Sequence, residues 1–184
     1  MKPENFSILI DDRTEYFDRT KFYTGNENGL TKIYELGNGT IMKEGAGEDG
    51  SWFATYKTRS GSCFSVYREY NHRGCIRKKW TAFRNGGAVV GIRYDFDESG
   101  KLQRQTNEEE NFLFTPNDVI RYCLDQGINL YAQGKGYVER VSYPEEGKYL
   151  YIIHYVGKFK SQSGKFRIVL DGKTGEEKEV IPEY

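Results

Sequence analysis

From Leu30 onward the chain runs in short segments that alternate apolar and polar residues, separated by polar clusters that contain glycine. That period of two marks half-buried antiparallel strands joined by tight turns. Trp52, Ala54 and Tyr56 against Phe53, Thr55 and Lys57 show it most cleanly. The pattern predicts strands at about Leu30 to Leu36, Thr40 to Glu44, Ser51 to Thr58, Cys63 to Tyr70, Cys75 to Arg84, Ala88 to Phe96 and Lys101 to Thr106. Ahead of them, Phe6 to Ile10 is a short apolar run suited to an edge strand and ended by Asp11, Asp12 and Arg13, while residues 14–30 are mixed and close on Gly25-Asn26-Glu27-Asn28-Gly29, a loop by composition.

A phrase recurs within this series: an aromatic or polar residue, three residues, glycine, one residue, then an aliphatic. It spans Tyr70, Gly74 and Ile76, then Phe96, Gly100 and Leu102, with a weaker copy at Glu35, Gly39 and Ile41. Asn71-His72-Arg73-Gly74 and Asp97-Glu98-Ser99-Gly100 each supply the positive-φ residue that a tight reversal needs, so each copy predicts a hairpin.

The periodicity changes once. Thr115 can cap a helix, Pro116 suits its first position and Asp118 its positive end. Val119, Ile120, Cys123 and Leu124 then share one face, and Gly127 is placed to stop the helix, which is predicted over Pro116 to Gln126. Strands return at about Tyr137 to Tyr143, Tyr149 to Lys158 and Lys165 to Asp171, with a tail at Glu176 to Ile181. Pro144-Glu145-Glu146-Gly147 and Ser161-Gln162-Ser163-Gly164 read as their turns. The expected fold is mainly β, of the α+β kind: an antiparallel hairpin meander over residues 1–107, then a small unit over 108–184 with one helix on an antiparallel sheet. The break falls near 107–114, at Asn107-Glu108-Glu109-Glu110-Asn111.

Composition narrows the function. At 184 residues the chain can bury a core without disulfides or metal. Fifteen Tyr and eleven Phe within a hydrophobic fraction of 37% point to a β-rich protein with an aromatic core. Lys plus Arg balance Asp plus Glu at 27 each, which removes any bulk charge argument for nucleic acid. Cys63, Cys75 and Cys123 are odd in number and lack metal-ligand spacing, so reduced thiols are expected. Met1 to Ile10 holds no export-type apolar segment and no run is long enough to cross a membrane, so a soluble, cytoplasmic protein is expected.

Few residues suggest chemistry. His72 and His154 have no neighbouring Cys or carboxylate pair to form a ligand set or an acid-base site. Gly45-Ala46-Gly47-Glu48-Asp49-Gly50 matches GxGxxG, but a dinucleotide site needs a helix next, and a strand pattern comes instead. No catalytic residue, metal or cofactor is therefore expected. Two charged patches stand out as binding candidates. Arg73, Arg77, Lys78, Lys79 and Arg84 around Trp80 and Phe83 mix basic and aromatic groups as single-strand RNA binding requires. Alternation divides them, however: with Ile76, Lys78 and Trp80 on one face, Arg77 and Lys79 lie on the other. Asp95, Asp97, Glu98, Glu108, Glu109 and Glu110 flank one hairpin and form the candidate surface for a basic protein partner.

The segment Tyr94-Asp95-Phe96-Asp97-Glu98-Ser99-Gly100-Lys101-Leu102 resembles the MORN-variant repeats of YwqK-type bacterial proteins, over roughly residues 64–106. The helix Pro116 to Gln126 with the ending Phe166 to Glu176, which contains Asp171-Gly172-Lys173-Thr174-Gly175-Glu176, is similar to PepSY-like and cystatin-like modules. The first resemblance implies a non-enzymatic immunity or antitoxin-like protein that neutralises a toxin by direct binding. The second implies a peptidase inhibitor as the alternative, and RNA binding through the Arg73 to Arg84 segment is a further one. Edge strands can also pair between chains, which leaves a homodimer open.

Overall fold

The computed structural model describes residues 10–26, 29–37, 39–58, 62–85, 87–130 and 136–183. These are mostly strand, in one seven-stranded and one four-stranded antiparallel sheet, with one substantial helix. They fall into two compact units, residues 10–82 with 91–108, and residues 83–90 with 109–183. The chain thus enters the helical unit once, over 83–90, before the boundary read near 107–114. Phe6 to Leu9 of the anticipated edge strand lie outside the described residues.

In the first unit, β1 (Thr31–Glu35), β2 (Thr40–Ala46), β3 (Trp52–Thr58), β4 (Phe64–Tyr70), β5 (Ile76–Phe83), β6 (Val89–Phe96) and β7 (Leu102–Asn107) pair in chain order as a meander. The alternation read at Trp52 sorts the two faces: Trp52, Ala54, Tyr70, Ile76 and Phe96 bury together with Phe17 and Phe22. Phe17 stacks on Trp52 at 4.7 Å and meets Tyr70 edge-on at 5.4 Å, an arrangement aromatic pairs favour.

The mixed stretch ahead of β1 holds a short helix that its sequence pattern does not announce. Arg19–Tyr23 form α1, five residues long, capped by Asp18, whose carboxylate accepts from the Lys21 amide. A helix this short does not stand alone. It forms because Phe22 is fully buried among Phe17 and Trp52. Ahead of it the chain bonds to the start of β5, with Phe17 donating to the Gly74 carbonyl and Ile76 to that of Glu15.

The repeat proves to be anchored differently from its sequence reading. Gly50, Gly74 and Gly100 have φ of +78°, +86° and +83° and close the β2–β3, β4–β5 and β6–β7 turns, all at one end of the sheet. Each amide bonds back to the residue three before, Gly47, Asn71 or Asp97. Gly39 closes a turn of the same kind, but between β1 and β2 and hence at the opposite end. The copy at Ala46, Gly50 and Trp52 is concealed within the GxGxxG match, which here spans the end of β2 and its turn, with no helix after it.

In the second unit, α2 (Pro116–Asp125) lies with β8 (Gly136–Tyr143), β9 (Lys148–Phe159), β10 (Gln162–Asp171) and β11 (Glu177–Glu183). Thr115 and Asp118 form a reciprocal capping box, and Gly127 stops the helix with φ +71°. Val119, Ile120 and Cys123 are buried, whereas Leu124 is 41% exposed, because it lies at the rim of the helical stripe rather than on it. Val138, Ile153 and Ile168 are opposite one another across the sheet and fully buried. The β9–β10 turn is not Ser161 to Gly164 but Lys160 and Ser161, at φ 44° and 71°, so that Gln162 already pairs with Phe159. Two residues with positive φ match the twist of the flanking strands without glycine. Cys63, Cys75 and Cys123 are free thiols.

Candidate functional site

On the sheet face opposite the aromatic core, the repeat builds a groove of about 580 Å³ just inside the three aligned turns. Phe53, Arg77 and Gln103 each stand three residues after a turn glycine. Glu69 and Asp95 each precede the repeat's aromatic residue, and all five line the groove. The residue equivalent to Glu69 in the first copy is Gly45, and this is structural. A Cβ at Gly45 would lie 2.3 Å from the Phe53 ring, so its absence lets that ring lie flat on the backbone as the groove's apolar wall. The turn heads are fixed by their own side chains. Asp97 accepts from the amides of Ser99 and Lys101, and Asn71 from those of Arg73 and Cys75. The Ser99 hydroxyl and these amides hold the Asp97 carboxyl below its ordinary range, as the Ser51 hydroxyl and amide do for Asp49.

The basic segment is distributed rather than assembled. Arg77 and Lys78 line the groove, and Arg77 reaches Glu98 at 3.5 Å. Arg73 sits in the β4–β5 turn, and Arg84 belongs to the residues of the helical unit. Trp80 stacks on Tyr67 at 5.1 Å, on the groove side, while Lys79 turns to the other side with no exposed surface. Lys79 therefore shares the core face with Ile76 three residues earlier, and strict alternation is broken between them. One extra residue in a strand re-aims the side chains beyond it, which corrects the division of faces drawn from the sequence.

Lys79 donates to Glu15 Oε1 at 2.7 Å, to the Arg13 carbonyl at 2.6 Å and to Asp11 Oδ1 at 3.2 Å, with its ammonium 5.5 Å from the Phe96 ring. Glu15 also accepts from Arg68 Nε at 2.8 Å, and Arg68 lies over the Tyr56 ring at 4.4 Å. Burial, then the charge of Glu15, pushes the Tyr70 phenol far above its usual range. Burial would also raise Asp11, but bonds from Arg13 and Lys79 outweigh it and hold that carboxyl at about 2. A carboxyl lowered on folding contributes stability above its unfolded value of about 4 and loses it as pH falls through the folded one. Wild type is therefore expected to lose more stability than Asp11→Asn between about pH 4 and pH 2, as read by denaturant midpoints; equal losses would show that Asp11 carries none of it.

The acidic residues are mostly engaged within the chain. Arg93 meets Asp95 at 3.4 Å and Glu108 at 2.9 Å, Asn71 Nδ2 donates to Glu98 at 3.0 Å, and Asp97 heads its turn. Glu109, in the second unit, accepts from Arg140 at 2.7 Å, and Glu110 is exposed. Arg140 is itself enclosed, bonded to the Val89 carbonyl and lying over the Phe112 ring at 4.4 Å. His154 stacks on Tyr137 at 4.4 Å and faces Glu139 at 3.2 Å. Among the described residues no group of three or more His, Cys, Asp or Glu is placed to hold a metal ion. No helix among them is long and apolar enough to cross a membrane.

This construction defines a β-rich protein that carries a repeat-built, mixed-charge groove on one face of its seven-stranded sheet. No family model, curated protein or solved structure matches the chain.

Proposed function

We propose that this chain is a non-enzymatic binding module that holds another protein against the groove face of its seven-stranded sheet. The observation that carries this is the groove itself: equivalent repeat positions on β3 to β7 supply one ring wall and a row of charged and amide groups on a single face. The buried cations, by contrast, are fixed in ion pairs with Asp11, Glu15 and Glu109, and are committed to holding the fold. Phe53 and the stacked Tyr67 and Trp80 provide aromatic anchors of the kind that dominate binding energy. Charges around them set orientation and encounter rate. The specific form of this proposal is a cytoplasmic immunity or antitoxin-like protein occluding a toxin, and the resemblance to MORN-variant repeats supports it.

The test is recovery of a partner by the tagged chain from its producing cell, then affinity measurement with Phe53→Ala and Trp80→Ala. Each substitution is expected to weaken the complex by about tenfold or more. Co-expression with the recovered protein should protect the cell. Failure to retain any partner, or variants that bind like wild type, would refute this function.

A further inference from the structure

We infer that the groove takes an extended, positively charged segment of its partner, gripped by Glu69 and Asp95 with Phe53 as the apolar platform; this rests on the protein-binding function proposed above. The charge balance is the first ground. Asp49, Glu69 and Asp95 line the groove against the two cations Arg77 and Lys78, an excess of one negative charge, with Glu98 and the cations Arg93 and Lys43 at its margins. Those groups are not equally available. Glu98 leans on Arg77 and Asn71, and the Asp49 carboxylate is held by Ser51. Glu69 is exposed and forms no ion pair with a described residue. Asp95 shares Arg93 with Glu108, at a looser 3.4 Å.

Spacing is the second ground. Strands lie about 4.8 Å apart, so the row from Phe53 on β3 to Gln103 on β7 spans about 19 Å, the length of roughly six extended residues. Glu69 on β4 and Asp95 on β6 are two strands apart, about 9.6 Å. Side chains on one side of an extended peptide recur every 6.8 Å or so, and the long stems of lysine or arginine cover the remainder. Two basic residues separated by one other thus reach both carboxylates, and the stem nearer β3 passes along the Phe53 ring. Arg77, between the two acids, repels a third charge placed centrally, which favours a spaced pair over a basic run.

The probes are capped hexapeptides on a serine background carrying two lysines separated by one serine, the same peptide with two glutamates, and a short single-stranded DNA oligomer. Each is titrated into the full chain with amide NMR shifts as the readout. The lysine peptide is expected to move the amides around Glu69, Asp95 and Gln103, with affinity falling about tenfold in Glu69→Gln/Asp95→Gln and also on raising salt well above physiological strength. Glu69 is exposed and Asp95 half-buried beside Arg93, and an unchanged melting transition of the double variant confirms the fold. Equal binding of the glutamate peptide, preferential binding of the oligomer, or no loss in the double variant would overturn the inference. Absence of lysine-peptide binding, with partner capture still dependent on Phe53, overturns it while leaving the protein-binding function intact. Peptide binding without any recoverable partner refutes that function instead.

Discussion

Glu15→Ala is expected to lower the stability of the seven-stranded unit by about 3 kcal/mol, and Lys79→Met by only about 1 kcal/mol. The order comes from the groups each change leaves behind. Lys79 has no exposed side-chain surface and Arg68 only 12%, and both cations use Glu15, whose own side chain is 32% exposed. Removing Glu15 strands two desolvated positive charges beside each other, with Asp11 and the Arg13 carbonyl as the remaining support for Lys79. Removing the ammonium instead leaves carboxylates that water already reaches, Glu15 keeps Arg68, and methionine refills the channel beside Phe96. Adding Lys79→Met to Glu15→Ala should then recover part of the loss, since the stranded charge is gone. Urea unfolding monitored by tryptophan fluorescence reads this unit selectively, because Trp52 and Trp80 both lie in it. Equal losses for the two single variants, or simple additivity in the double, would mean the network is not the desolvated pair described.

Much of this architecture is legible in the sequence because its determinants are local. The alternation at Trp52 to Lys57, the Thr115-Pro116-Asn117-Asp118 cap and the polar turns ending in Gly74 and Gly100 each specify a backbone state within four to eight residues. The parts that cannot be read depend on distant partners. Lys79 is 64 residues from Glu15, and nothing in Arg77-Lys78-Lys79 distinguishes the one lysine that the strand turns inward. α1 has too few residues to announce itself and forms because Phe22 finds Trp52. The groove is partly visible: Arg77, Lys78 and Asp95 stand out in the sequence, but in opposed patches. Its frame escapes because Gly50 is hidden in a phosphate-loop look-alike and Gly39 mimics it. Counting back from Gly50 gives Ala46, Gly50 and Trp52 at the offsets of the later copies, and that is the signal that places Phe53 beside Glu69, Arg77 and Asp95.

Gly175→Ala is expected to cost the helical unit about 3 kcal/mol, against about 1 kcal/mol for Gly127→Ala. Both glycines have positive φ, +75° and +71°, so alanine meets similar backbone strain at each. Their surroundings differ. A Cβ at Gly127 meets nothing within 4 Å, whereas one at Gly175 would lie 2.2 Å from the Phe114 ring. That ring is positioned by the Phe114 amide, which donates to the Gly172 carbonyl at 3.0 Å, and the nearby Phe112 ring packs closely on Gly172. The Asp171 to Gly175 turn is fixed in turn by the Asp171 carboxylate, which accepts from the Lys173 and Thr174 amides at 2.9 Å. Alanine at 175 must therefore expel a half-buried ring from a turn that does not yield. The excess over Gly127→Ala should vanish when both are compared in a Phe114→Ala background, because only the steric part involves the ring. Circular dichroism melting of both glycine variants, each against its parent with and without the ring, separates the two contributions. If the excess persists without the ring, the turn's own hydrogen bonds set its cost, and the packing of Phe114 on Gly175 contributes nothing to this unit.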